Sequence, residues 1–224
     1  MTSLMTATTA GLVVAVLGLA AVGCSTATDT TTAGETSTAA TTATVADAGD
    51  RITLNEYIDA NEIDEYPIMP GDPGTPEVDF PLPPDWRVAG DEKPDWAYGA
   101  IIYDKAVDPG EPPYMYAIGV KLTGDVDPAK ILEYAPGQLN DFPEFEALGE
   151  PKANSLGGFE AVDYVGTYVR DGEPWAVGQR TVVIPGKDAL FVLQINAEAP
   201  QAQKDVVVDA IKIISEQTEI TVPG

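Results

Sequence analysis

Three apolar runs separated by two tight-turn signals set the strongest limit on what this chain folds into. Glu160 to Tyr168 (EAVDYVGTY), Trp175 to Ile184 (WAVGQRTVVI) and Ala189 to Asn196 (ALFVLQIN) are rich in β-branched and aromatic residues. Between them stand Arg170-Asp171-Gly172-Glu173 and Pro185-Gly186-Lys187-Asp188. Asp-Gly and Pro-Gly between strand-like runs are hairpin signals. The reading is an antiparallel β-meander from Phe159 onward.

Two further runs read as strands, Trp96 to Tyr103 and Tyr114 to Leu122, with a loop carrying Asp108-Pro109-Gly110 and Pro112-Pro113 between them. Thr53-Leu54-Asn55-Glu56 fits a capping box that opens a helix. Asp127-Pro128 starts a second helix, with Asp as N-cap and Pro at the first helical position, and Pro136-Gly137 breaks it early. A third helix runs from about Pro200 to Gln217, with Val206, Val207, Ala210, Ile211, Ile213 and Ile214 as its apolar face. Val78 to Pro84 reads as an extended, edge-like segment, because each Pro removes a ladder donor. A short extended tail covers Glu219 to Val222. The fold class is α+β: antiparallel sheet with helices packed on it. Strand order cannot be read from the sequence.

The first 50 residues read differently. No charged side chain occurs from Met1 to Gly23, and Gly11 to Val22 is a continuous apolar and small-residue run. That is short for a membrane span and fits a signal-peptide core. Ala21-Val22-Gly23-Cys24 follows, which resembles the bacterial lipoprotein signal, with Ala21 where the pattern prefers Leu. Cleavage is expected between Gly23 and Cys24, and lipidation (palmitate and diacylglycerol) at Cys24. Ser25 to Asp50 contains ten Thr and no aromatic, Lys or Arg. Such a segment buries too little apolar surface to offset its ordering entropy. The expected organisation is a signal peptide over 1–23, an acylated cysteine and disordered Thr-rich tether over 24–50, and one α+β domain over 51–224.

Composition excludes several chemistries. The chain has no histidine and one cysteine. Imidazole-dependent triads, Cys–His nucleophiles, intrachain disulfides and Cys/His metal sites are therefore out of reach within it. The net charge of −24 argues against nucleic-acid binding. No G-x-S-x-G elbow, P-loop or dinucleotide glycine motif is present. Carboxylate pairs such as Asp125/Asp127 or Glu160/Asp163 are easy to find in so acidic a chain, and each is weak for that reason. Asp127 is better read as a helix cap. No cofactor, metal site or catalytic residue is expected.

Several motifs occur in order: Gly71-Asp72-Pro73-Gly74, Leu82-Pro83-Pro84-Asp85-Trp86, Trp96 to Ile101, Lys121 to Pro128, Gly157-Gly158-Phe159 and Thr181 to Gly186. In them the chain resembles the LpqN/LpqT family of actinobacterial, chiefly mycobacterial, lipoproteins over nearly all of Thr53 to Thr221. The resemblance implies a PsbP/Mog1-like fold, a curved antiparallel sheet flanked by helices. It also implies the cell envelope and a link to envelope lipid (mycolate) trafficking, but no catalytic residue set.

The aromatic residues on the strands are the candidates for binding. Trp96, Tyr98, Tyr116 and Trp175 are the candidate ligand groove for an acyl chain or a partner peptide. The competing reading places such residues in the sheet–helix core. Gly99, Gly119, Gly166 and Gly178 inside strands mark bulges, close approach or room for a ligand. The function expected is a noncatalytic binding or assembly factor, anchored on the extracytoplasmic face of the membrane and meeting envelope lipids or lipid-handling proteins. The alternatives are a surface-exposed module that contacts a host or neighbouring-cell protein, and a carboxylate hydrolase.

Overall fold

The computed structural model describes residues 53–223. Gly23, Cys24 and the Thr-rich segment lie outside the described residues. The domain opens with helix α1 (Leu54–Ala60), closed by the capping box its sequence encodes: Glu56 N–H donates to the Thr53 hydroxyl, and Glu56 accepts from Thr53 N–H. Short strands β1 (Asp64–Pro67), β2 (Glu77–Asp79) and β3 (Trp86–Val88) follow, then β4 (Gly99–Tyr103) and β5 (Tyr114–Thr123). Helix α2 (Pro128–Tyr134) is capped by Asp127, whose carboxylate accepts from Ala129 N–H at 2.9 Å. The α-helix ends at Tyr134, just ahead of Pro136-Gly137 as expected, and a 3-10 segment over Ala135–Asp141 follows it directly.

Two short strands, β6 (Glu146–Ala147) and β7 (Lys152–Leu156), precede the meander of β8 (Phe159–Arg170), β9 (Glu173–Pro185) and β10 (Leu190–Pro200). The β8–β9 hairpin closes on Asp171 and Gly172, both at positive φ (52° and 84°), with Arg170 paired to Glu173. This is the two-residue turn whose backbone twist matches that of its strands. Helix α3 (Lys204–Gln217) and a last strand, β11 (Glu219–Thr221), complete the chain.

Nine strands form one sheet in the order β3-β4-β5-β10-β9-β8-β6. Strand β1 shares an edge of β5 with β4, and β7 shares an edge of β8 with β6. Every pairing is antiparallel. Strands β2 and β11 form a separate two-stranded ribbon.

Alternation along β10 divides the core. Phe191, Leu193, Ile195, Ala197 and Ala199 face α3, where Val207, Ala210 and Ile214 cover them. Leu190 and Val192 point the other way, into a cluster with Leu54 and Ile58 of α1 and Ile131 of α2. A third cluster sits under the 3-10 segment, with Leu139, Tyr168, Trp175 and Val177. Because β9 and β10 are covered on both faces, they read as continuous apolar runs rather than alternating ones.

Candidate functional site

Two recesses flank β4 and share Ala100 and Ile101 as a wall. The first lies on the α3 side. Phe80, Leu82 and Val88 form its outer wall, Met115 and Ile195 its floor and Ile214 its back, enclosing about 200 Å³ with an opening to solvent. Its lining is almost wholly apolar. Gly99 and Ala117, directly paired across β4 and β5, keep it open. A Cβ placed on Gly99 meets no atom within 4 Å. The recess exists because two neighbouring strand positions carry almost no side chain.

The second recess, of about 340 Å³, lies on the opposite side of β4 and is lined by Trp96, Tyr114, Tyr116, Glu92, Glu111 and Arg170 among others. Trp96 meets Tyr116 edge-on with ring centroids 5.4 Å apart, and Tyr116 stacks on Tyr114 at 5.8 Å. Beneath them lies Glu198, only 4% exposed. One of its carboxylate oxygens accepts from the Tyr114 hydroxyl at 2.8 Å, and the other accepts from the Tyr168 hydroxyl. Burying a carboxylate is costly unless such donors meet it. The guanidinium of Arg170 lies 4.3 Å from the centre of the Trp175 ring, a cation–π contact that caps this cluster. Burial, with Glu198 second, pushes the Tyr116 phenol up to about 12. Burial and Glu198 also push Tyr114 and Tyr168 well above the ordinary phenol range, Arg170 opposing the rise at Tyr168.

A family model described as "Probable lipoprotein LpqN" matches residues 50–221. The chain belongs to the LpqN lipoprotein family. Lipoprotein LpqN of Mycobacterium tuberculosis (strain ATCC 25618 / H37Rv) is 46% identical over 174 residues, covering 78% of this chain and 76% of that one. The crystal structure of an LpqN involved in cell envelope biogenesis of M. tuberculosis superposes with a TM-score of 0.73 at 45% identity, over 78% of this chain and all of that one. The Ran-binding protein Mog1p of Saccharomyces cerevisiae is a more distant structural neighbour, with a TM-score of 0.43 and 13% identity over 70% of this chain and 95% of that one. The antiparallel α+β architecture expected of an LpqN-family chain is the one observed.

Within this LpqN-family domain the four aromatic groove candidates separate. Trp96 and Tyr116 meet in the second recess. Tyr98 is buried in the α3-side core, packed over Gly119. Trp175 is 1% exposed in the third cluster, beneath Arg170. Neither Tyr98 nor Trp175 lines a groove with the other two: strand alternation and the turn before β4 send their side chains into core. The apolar recess and the buried Glu198 escaped sequence reasoning, because each is assembled from segments far apart in the chain. Gly99 was the one available signal, a glycine in a strand with nothing over it. The in-strand Gly119 has the opposite use, since a Cβ there lies 2.7 Å from Ile68 and 2.9 Å from Tyr98. Of the candidate acid pairs, Asp127 is the α2 cap and Asp163 is bound to Arg180.

Proposed function

We propose that this LpqN-family chain is a membrane-anchored envelope lipoprotein acting as a noncatalytic binding or assembly factor, and that it holds part of an acyl chain of an envelope lipid in the apolar recess. The observation that carries the reading is that recess: an apolar cavity open to solvent between α3 and β4. At about 200 Å³ it falls below the roughly 300–1,000 Å³ common for whole small-molecule sites. It suits a segment of a long chain whose remainder stays outside. Mycolate-class lipids meet that description, and a relative involved in cell envelope biogenesis agrees with it. The noncatalytic part is supported by Glu198, the one fully buried acid among the described residues, both of whose oxygens are already bonded to tyrosines.

Anchoring rests on Cys24 and cleavage after Gly23, with the membrane as first partner and the extracytoplasmic face as location. Cys24→Ala is expected to move the protein to the soluble fraction; unchanged membrane retention and unchanged mass would remove the anchor. Native mass spectrometry of the chain purified from an actinobacterial host is expected to report a bound lipid mass that vanishes on denaturation. A clean apo mass that stays apo after incubation with long-chain fatty acid overturns the cavity reading.

A further inference from the structure

We infer that the proline-rich strap Phe80–Pro84 and the β3–β4 connection form a lip that seats in the interfacial region of an uncharged bilayer beside the cavity mouth. The inference deepens the lipid reading above and rests on it. Leu82 and Val88, 53% and 65% exposed, border the apolar recess, and Trp96, 54% exposed, stands on the other side of β4. Three of the eight large apolar side chains exposed among the described residues thus fall within this one stretch. Tryptophan favours the membrane–water boundary, where its ring is buried and its N–H stays wet.

The backbone chemistry of the strap points to a fluid apolar phase rather than a partner strand. Pro81, Pro83 and Pro84 leave only Phe80 and Leu82 with an N–H among its five residues. Fewer N–H groups lower the cost of leaving bulk water, and in the interfacial region the carbonyls of the strap still meet headgroup water. The same lack denies an added strand its ladder.

Charge selects the kind of surface. A chain of net charge −24 is repelled by anionic lipid. At the lip, however, Asp85 is paired with Lys105 at 2.8 Å, and Arg87 bridges Glu92 at 2.7 Å and Asp104 at 3.0 Å. These acids are answered within the fold, whereas Asp91 and Asp95 of the β3–β4 connection are exposed and carry no ion pair among the described residues. A zwitterionic headgroup layer, whose cationic groups can meet them, is therefore the surface this edge fits. Reach agrees as well. Twenty-eight residues separate Cys24 from Thr53. A flexible coil of that length would reach about 30 Å, long enough for an anchor at Cys24 to let the lip touch the bilayer. An acyl segment then passes from bilayer to cavity without crossing water.

Trp96 is itself the probe, because Trp86 and Trp175 are buried. The chain from Cys24 to Gly224 is coupled through its single thiol to a maleimide lipid in phosphatidylcholine vesicles, with plain or brominated acyl chains. Coupling makes the outcome independent of acylation in the cell. Brominated vesicles are expected to quench the Trp96 emission. That loss is expected to disappear in Trp96→Phe and in the pair Leu82→Asp, Val88→Asp; if the pair does not fold, Trp96→Phe alone decides. Equal emission from coupled chain in both vesicles overturns the lip, and quenching that requires anionic lipid overturns the uncharged surface. Quenching with a clean apo mass keeps the lip and removes the cavity reading; a bound lipid without quenching does the reverse.

Discussion

Arg180 and Asp163 face each other across β8 and β9 in a two-pronged ion pair, with Nε and Nη2 donating to the two carboxylate oxygens at 2.6 and 2.7 Å. The remaining guanidinium arm donates to the hydroxyl of Ser215, which in turn donates to the Ile211 carbonyl one turn back along α3. One side chain therefore joins two strands to the helix that backs the apolar recess. Asp163→Ala leaves Arg180, 8% exposed, without its counter-charge. Breaking a buried pair costs about 3–5 kcal/mol, and the partial exposure of Asp163 places this one near the lower end. Urea unfolding of the two chains measures it, and a loss below half a kilocalorie would falsify the joining role.

Gly99→Leu is expected to fill the apolar recess without straining the fold, since nothing lies within 4 Å of its Cβ. The melting temperature stays within a few degrees and the bound lipid mass disappears. Retention of the same lipid at the same occupancy argues that the ligand sits elsewhere.

Gly119→Ala makes the contrary case. Its Cβ is driven into Ile68 and Tyr98, at 2.7 and 2.9 Å. Overpacking of this kind costs about 1–3 kcal/mol. A denaturation midpoint equal to that of the parent chain contradicts the geometry.

Glu198→Gln keeps the shape but replaces one acceptor oxygen with an NH₂ group. One of Tyr114 and Tyr168 then loses its acceptor, at a cost of about 1–3 kcal/mol for an orphaned buried group. Chemical denaturation reads the difference, and a neutral outcome means that solvent reaches the pair.

Alkaline titration tests the same cluster. In the unfolded chain a phenol ionises near 10. The native fold holds the Tyr116 proton to about 12 and those of Tyr114 and Tyr168 beyond the ordinary range. A raised folded pKa contributes stability in full below about pH 10, and that contribution is lost as pH rises toward 12. The tyrosinate absorbance of Tyr114, Tyr116 and Tyr168 is expected to appear only together with unfolding. A single step near pH 10 with the fold intact contradicts it.

How far the sequence carries can be seen by comparing elements. The meander was legible because its turns use Asp171-Gly172 and Pro185-Gly186, whose chemistry acts over two to four residues. The Thr53 and Asp127 caps were legible for the same reason. Strand β4 begins at Gly99 rather than Trp96, because the chain is still turning at Asp95 and Trp96. Helix α3 begins at Lys204, after a short 3-10 turn from Gln201. Strands β1 and β6 carried no signal at all, since every residue in them is exposed and no alternation is imposed on them. The site was the least legible part. Trp96 and Tyr116 meet as a pair, but Glu198, Tyr114 and Tyr168 come together only once β5, β8 and β10 are in register. The apolar recess likewise needs Phe80, Gly99, Met115 and Ile214 at once.

Among the described residues, strand β2 pairs only with β11, and Ile220 of β11 packs against the turn at Gly157. The strap that walls the apolar recess therefore has its footing in the final residues of the chain. Among the described residues the β2–β11 pairing is the strand pairing of greatest sequence separation, so the recess is completed later than the meander, whose partners are neighbours in the chain. A chain that stops short of Glu219 would carry an intact nine-stranded sheet and a recess whose outer wall has lost its footing.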